Sequence, residues 1–428
     1  MKLTTAPRGT YDILPQDALT WQWMEVNIRE VFLLYGYGEI RTPIFEHTEL
    51  FLRGIGETTD IVEKEMYTFS DKGGRSITLR PEGTAPVVRA YIQHKLHGQG
   101  GTTKLFYLGP MFRQERPQAG RFRQFHQFGV ELIGEETPLA DAEVILLAHD
   151  LYQHLGLTEL EIYLNSVGCP ECREEYKKAL ITSLQASSSQ LCPSCLRRLE
   201  RNPLRLLDCK NSSCQKVTAE TPLIHDFLCQ ACKEHFIQVT SLLDQANVKY
   251  EIKPRLVRGL DYYTRTVFEV VNTDLGAQNA ICGGGRYDGL VEECGGPAVP
   301  GVGFASGMER LYTTLQQSGK LPVCSKAPQV YIISLTKELS NIGFKIATNL
   351  RRSGFKVELG FTVKSIKAQM KAANKSGALL CLIIGEDEWK DRQVTIKNMN
   401  DGQQTRVNFT DIIDQISKLI SPQGVINQ

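Results

Sequence analysis

Two alternating stretches flanking the turn "ERPQAG" constrain the fold of this chain more than any other feature. Leu105 to Arg113 and Phe122 to Leu132 read as the strands of one hairpin, with Pro117 and Gly120 as its turn formers. Side chains on a strand point alternately to its two faces. On the second strand, Phe122, Gln124, His126, Phe128, Val130 and Leu132 share a mostly apolar face suited to a core. Arg121, Arg123, Phe125, Gln127, Gly129 and Glu131 share the other face, and Arg113 and Glu115 share a face of the partner strand. One side of the hairpin thus offers guanidinium forks, a flat ring, an amide and a carboxylate, with Gly129 keeping the floor low. That set suits a ligand with phosphate at one end, a planar base in the middle and a polar or cationic group at the other. Arginine meets phosphate oxygens with a two-pronged fork, where lysine brings a point charge. A salt-bridged, solvated sheet face would carry the same alternation, and periodicity alone leaves both readings open.

The chain has 428 residues, too many for one core, and the expected organisation is two or three domains. Its net charge of +1 neither demands nor excludes a polyanionic partner, so such a site has to come from local clustering. The opening "MKLTTAPRGTYDILP" lacks an apolar leader core and no run approaches membrane-spanning length. The expected compartment is the cytosol. Of the 12 cysteines, eight fall in "CPEC", "CPSC", "CKNSSC" and "CQAC": Cys169, Cys172, Cys192, Cys195, Cys209, Cys214, Cys229 and Cys232. In a cytosolic chain, thiol pairs at this spacing point to zinc ahead of disulfides. Three CxxC pairs and one Cx4C pair can supply two tetrahedral four-thiolate sites, and spacing leaves open which pairs share a metal. Cys282, Cys294, Cys324 and Cys381 read as small buried apolar residues.

Residues 1–167 mix helices and strands. Ala18 to Tyr35 has helical spacing closed by Gly36 and Gly38, "EIRTPIFE" is a strand interrupted at Pro43, and "PLADAEVILLAHDLYQHL" is an amphipathic helix. Residues 168–245 form an inserted Cys-rich module of short helical pieces. Strand patterning returns in residues 246–318, runs through "CGGGRYDGL", and gives way to an expected helix "GFASGMERLYTTLQQ". Residues 319–328 read as a linker. Residues 329–428 alternate strands and helices as a small α/β domain.

"FRQERPQAGRFRQFHQFGVELIG" resembles the second signature motif of class II aminoacyl-tRNA synthetases, in the form carried by the histidyl-tRNA synthetase family. "PRGTYDILP" resembles that family's opening, "RLVRGLDYYTRTVFE" and "CGGGRYDGL" its two histidine-specific motifs, and "GVGFASGMERL" the class II third motif. The resemblance spans roughly residues 6 to 310 apart from the insertion, and residues 329–428 fit the family's anticodon-binding domain. It implies an α+β fold: an antiparallel-sheet catalytic domain with helices, the inserted module, and the C-terminal α/β domain.

The resemblance also assigns residues. Arg113 would hold the α-phosphate of ATP, Glu115 the adenine amino group, Phe125 the adenine ring and Arg310 the γ-phosphate, with Gly303 and Gly307 easing the packing of the Arg310 helix. Histidine would be held by Glu82, Gly83 and Thr84 of "PEGT", with Gln127, Glu131, Arg258, Tyr262, Tyr263 and Tyr287. A carboxylate and a phenol facing an imidazole can bond both its nitrogens, and polar readout of this kind rejects side chains that cannot pair. Arg113 and Arg258 would flank the α-phosphate as the catalytic pair, with magnesium entering on ATP. Arg116, Gln118 and Arg121 would face the acceptor end of histidine tRNA. The family is dimeric, and "RTPIFE" resembles its interface motif. The insertion would sit over the acceptor stem, which makes any zinc there architectural. In the C-terminal domain, Lys364, Lys367, Lys371 and Lys375 recur at helical spacing, and residues 329–428 hold 14 basic and 9 acidic residues, a net of +5. That is a footprint for phosphate contacts, and equally a solvated helix face.

Three rivals share parts of this pattern. A regulatory paralogue from histidine biosynthesis lacks the anticodon-binding domain and often the ATP-binding arginines, and this chain has both. A non-catalytic tRNA or amino-acid sensor on the same scaffold would keep the motifs without turnover. Synthetases for proline, threonine or glycine lack "LVRGLDYYT" and "GGGRYD".

Overall fold

The computed structural model describes residues 4–56, 59, 61–116, 120–185, 187–272, 280–324 and 326–420. Its two compact units divide between Pro322 and Val323.

The first unit is built on an eight-stranded sheet. In spatial order its strands are Gly38–Glu39, Thr103–Phe112, Gln124–Ile133, Gly301–Gly307, Ala280–Arg286, Thr264–Val271, Glu161–Ser166 and Glu251–Ile252. Every pairing among the six central strands is antiparallel, and the short edge strands join in parallel. Helix Pro15–Leu34 starts with proline in its first turn and stops before Gly36, whose φ of +78° favours glycine. It buries Trp21, Met24, Ile28, Val31 and Phe32, one stripe at helical spacing, against one face of the sheet. Phe32 meets the rings of Phe106 and Phe304 from separate strands at centroid distances of 5.3 and 6.0 Å. The apolar face expected of the hairpin is there in its second half: Phe128, Val130 and Leu132 belong to the same core, whereas the strand begins only at Gln124, which is exposed, and Phe122 precedes it.

Two expectations need correction. Residues 303–307 are not helical: Gly301–Gly307 is a central strand, and helix Met308–Gln317 begins only after it. Strand pairing on both sides, Gly303 opposite Glu131 and Gly285, outweighs the helical look of "GFASGMERL". The stretch "EIRTPIFE" likewise serves two sheets. Gly38–Glu39 joins the large one, and Phe45–His47, beyond Pro43, joins a three-stranded antiparallel sheet with Ser76–Leu79 and Tyr67–Ser70.

The inserted segment folds as helices Pro170–Gln185, Pro193–Arg201, Ser212–Ala219 and Gln230–Gln245 around a core of its own that includes all eight of its cysteines. The last helix belongs to two cores. Cys232 lies in the module, whereas Phe236, Val239 and Leu243 pack into the main one.

The second unit has a five-stranded sheet in the order Val357–Leu359, Val330–Ser334, Leu380–Ile384, Gln393–Asn398, Gln404–Asn408. The first three are parallel and the last two antiparallel. The edge strand Gln404–Asn408 has one buried residue, Val407, so its sequence carries no alternation to read. Among the described residues, no helix is long and apolar enough to cross a membrane.

One buried ion pair ties the sheet to the helix behind it. Arg286 and Asp141 are both 0% exposed and bonded to each other, and Arg286 also donates to the carbonyls of Glu135 and Thr137 at 3.0 and 3.2 Å. Burial alone would raise the Asp141 pKa, but His235 and Arg286 together hold it below the usual carboxylate range. Removing the Asp141 charge leaves fully buried Arg286 with only the partly exposed Asp288, at 3.1 Å, as a carboxylate partner. Asp141→Asn should cost about 3–5 kcal/mol of stability, read as a lowered urea midpoint.

Candidate active site

The site starts from small residues set side by side on three strands. Gly129 pairs with Tyr107 and with Ala305, Ala305 pairs with Gly283, and Gly283 pairs with Glu269. The middle of that row carries almost no side chain. A methyl group on Gly283 would lie 1.9 Å from the Arg258 guanidinium, and one on Gly303 would lie 2.2 Å from a Glu131 oxygen. Arg258 and Glu131 therefore occupy space that only glycine leaves open. Above this floor is a cavity of about 430 Å³, the size of a small-ligand pocket.

One end of the cavity is cationic. Arg113, Arg121, Arg258 and Arg310 all line it. Arg113 donates through Nε to the Pro81 carbonyl at 2.9 Å and stands 5.2 Å over the Phe125 ring. Arg121 pairs with Glu115 at 3.0 Å, Arg258 with Glu269, and Arg310 donates to the Ala280 carbonyl. Burial depresses the Arg310 pKa, and the neighbouring charges of Arg121, Arg113 and Arg258 push it further down. Like charges held together in a partly closed cavity repel one another, and a polyanion relieves that repulsion.

The other end is a ring of hydroxyls around a carboxyl. Glu131, 1% exposed, accepts from Thr84 Oγ1 at 2.7 Å and from the Tyr287 hydroxyl. Burial lifts its pKa to about 8, against the pull of those two donors. The Tyr262 and Tyr263 rings lie 4.7 Å apart, and burial raises the Tyr263 phenol to about 12 while Arg258 draws it down. Glu82 takes the backbone N–H groups of Thr84 and Ala85 at 2.7 and 2.9 Å, capping helix Thr84–Gln93. Gly83 sits under the Tyr107 ring, where a methyl group would approach to 2.2 Å. Gln127 Oε1 and Arg258 Nε are buried without a hydrogen-bond partner among the described residues. Orphaned polar atoms facing a cavity are the expected sign of a polar ligand.

Arg113, Glu115, Phe125, Arg310, Glu82, Thr84, Gln127, Glu131, Arg258, Tyr262, Tyr263 and Tyr287, far apart in sequence, thus share one cavity. Arg121 lies in its wall, Arg116 is exposed on the following loop, and Gln118 is outside the described residues. Lys367, Lys371 and Lys375 are exposed on helix Ile366–Ser376, with Lys364 just before its Ser365 cap. The cysteines fall into two sets, Cys169, Cys172, Cys229 and Cys232 in one and Cys192, Cys195, Cys209 and Cys214 in the other.

Sequence reading missed several participants. Glu269, partner of Arg258, had a signal: it is the one charge in the apolar run "VFEVV". Glu309 accepts the His126 N–H at 2.9 Å and lines the cavity beside Arg310. Arg205 and Asp208 reach the cavity from the inserted module, and nothing local in "LRLLDCK" indicates it.

Comparison with known proteins accords with this geometry. Residues 9–311 match the family model described as histidyl-tRNA synthetase, and residues 329–419 match that of an anticodon binding domain. Together they place the chain among the aminoacyl-tRNA synthetases. "Histidine--tRNA ligase" of Halothermothrix orenii is 53% identical, over 97% of this chain and 99% of that protein. The protein of the same name from Caldanaerobacter subterraneus subsp. tengcongensis is 52% identical, over 98% and 99%. The crystal structure of apo S. aureus histidyl-tRNA synthetase superposes with a TM-score of 0.83 at 39% identity, covering 97% of this chain and 100% of that one. The chain belongs to the histidyl-tRNA synthetase family.

The raised Glu131 pKa makes a signed prediction. An unfolded glutamate titrates at about 4.3, so the proton held by folded Glu131 contributes stability that is complete below that value. The contribution is lost as pH rises through about 8. Glu131→Gln should therefore gain in melting temperature over the unliganded parent as pH rises from about 5 to about 8. A pH-independent difference would contradict it.

Proposed function

We propose that this cavity joins L-histidine to ATP and passes the activated amino acid to histidine tRNA. The chain is a histidine–tRNA ligase, and the reading concerns how its residues divide the work. The histidine carboxylate attacks the α-phosphorus of magnesium-bound ATP, the α–β bridging bond breaks, and histidyl-adenylate and pyrophosphate result. A ribose hydroxyl at the 3′ end of the tRNA then attacks the adenylate carbonyl and AMP leaves.

The attacking carboxylate is already ionised near neutral pH, so the first step needs no general base. The protein's contribution is alignment and neutralisation of charge as the phosphorus passes through its transition state. Arg113 and Arg258 flank the α-phosphate in this reading and Arg310 meets the γ-phosphate. Glu115 receives the adenine amino group and Phe125 the adenine ring, which requires Arg121 to exchange its hold on Glu115, and Arg113 its place over the ring, for the ligand. Glu131 and the hydroxyls of Tyr262, Tyr263 and Tyr287, with Thr84 and Gln127, read the imidazole. Glu82 and Gly83 hold the turn beneath it. The single observation that carries the reading is the union, on one glycine floor, of a guanidinium cluster with a buried, hydroxyl-ringed carboxyl.

The fold is read as that of the class II synthetases and the site of action as the cytoplasm. Arg116, Gln118 and Arg121 are assigned to the acceptor end of the tRNA, and the stripe Lys364, Lys367, Lys371 and Lys375 to its anticodon region. A homodimer is supported by the exposed apolar side chains Ile44, Phe45 and Phe69 at and beside the three-stranded sheet. Magnesium carried by ATP and structural zinc in the inserted module complete the ions of this reading.

ATP–pyrophosphate exchange with each of the twenty amino acids, without tRNA, tests it. Exchange with histidine alone is expected; none with any amino acid, from folded protein, would sink it. Arg258→Ala should keep the fold and lose about a hundredfold or more in exchange rate, the scale of losing a main donor to a transition state. Normal exchange in that variant would remove Arg258 from the chemistry.

A further inference from the structure

We propose that the inserted module binds two zinc ions per chain and that the second of them positions the active-site arginine Arg258. One ion takes Cys169, Cys172, Cys229 and Cys232, and the other takes Cys192, Cys195, Cys209 and Cys214. The inference deepens the zinc reading by fixing the ligand sets, and its link to Arg258 rests on the catalytic reading above.

The geometry of both sets fits a tetrahedral thiophilic ion. Within each set the four sulfurs lie within 4.8 Å of one another. Zinc–sulfur bonds of about 2.3 Å at tetrahedral angles put ligand sulfurs about 3.8 Å apart, so each set needs only small adjustments to close on an ion. Each set also bonds across its two halves: the Cys229 N–H donates to Cys172 Sγ at 3.1 Å and the Cys192 N–H to Cys214 Sγ at 3.2 Å. Cys192 and Cys229 cap helices Pro193–Arg201 and Gln230–Gln245, and Cys169 directly precedes Pro170–Gln185. Helix N-termini favour the thiolate, the form that binds metal.

The two sets are nested. The first closes the neck of the module, where the chain enters at Cys169 and leaves at Cys232; the second closes the loop 192–214 inside it. A module this small has little apolar surface to bury, and its core holds all eight thiols among a modest number of leucines. Small folds of this kind usually need a metal or a crosslink.

The second set matters to the active site because of what lies between its pairs. The segment joining Cys195 to Cys209 carries Asn202 and Arg205. Asn202 donates to Asp261 Oδ1 at 2.8 Å, and Arg205, 9% exposed, donates to the backbone carbonyl of Arg258 at 3.1 Å. Arg173, on the helix that follows Cys169, donates to the Tyr263 carbonyl at 2.9 Å. The loop bearing Arg258, Tyr262 and Tyr263 is thus held from outside the catalytic sheet by a segment pinned at Cys192, Cys195, Cys209 and Cys214. Asn202 and Arg205 are positioning residues; Arg258 is the group that touches substrate.

Metal analysis of the full-length chain, purified without chelator, tests the first part. About two zinc ions per chain are expected, with four sulfur neighbours each by X-ray absorption. The Cys192→Ser/Cys195→Ser and Cys169→Ser/Cys172→Ser proteins should each keep one. Metal-free protein, disulfides by mass spectrometry, or iron with visible absorbance would each overturn it. Arg205→Ala tests the second part. With zinc content and melting temperature kept, it should raise KM for histidine and lower kcat of exchange, together by about ten- to a hundredfold, and Arg205→Lys should restore part of the loss. Unchanged histidine kinetics in Arg205→Ala would overturn the positioning role. A parent protein with two zinc ions but no histidine-dependent exchange would overturn the catalytic reading and leave the metal sites standing.

Discussion

The structure depends on a patch of sheet that carries almost no side chain on one face. Gly129, Ala305, Gly283 and Gly303 lie on adjacent central strands, and the opposite face of the same strands carries Phe128, Val130 and Phe304 in a dense core. Strands bare on both faces would have no reason to pair, since burial of one face supplies most of the stabilisation of such a sheet. Strands filled on both faces would leave no floor. Helices packed behind the sheet hold it rigid, and the cavity in front keeps its depth.

Charge is handled differently on the two sides. Behind the sheet, Asp141 and Arg286 pair with each other, with Asp288 and the backbone carbonyls of Glu135 and Thr137 taking other guanidinium protons. In front, Arg113, Arg121, Arg258 and Arg310 are gathered along one cavity, and Arg310 feels the three others of its own sign. The first arrangement is complete within the protein and is structural. The second brings like charges together at an open cavity, an arrangement that a polyanionic ligand would relieve. Glu131 is a third case: a carboxyl held by two hydroxyl donors, in a place where burial disfavours its charge, so its protonation is open to whatever binds beside it.

The inserted module adds a support from a distance. Its Arg205 and Asn202 grip the loop that carries Arg258, although "LRLLDCK" shows no amphipathic or catalytic pattern. A segment that works by bonding to another segment's backbone leaves little trace in its own sequence. Only its anchor points, the cysteine pairs, are conspicuous.

Local chemistry determined much of this protein in the sequence. The two faces of the hairpin, the helix stops at Gly36, the thiol pairs and the α/β alternation near the C-terminus follow from side-chain periodicity and turn preference, which act over a few residues. The family resemblance collected the site residues without their positions. Tertiary structure decided what depends on partners remote in the chain. Gly303–Gly307 became a strand because neighbours on both sides pair with it. Glu269 became the partner of Arg258, Glu82 a helix cap, and eight cysteines two sets of four. Each of these turns on which backbone or charge lies opposite in space. Spacing along a chain does not contain that information, because one spacing is compatible with many closures of the loops between.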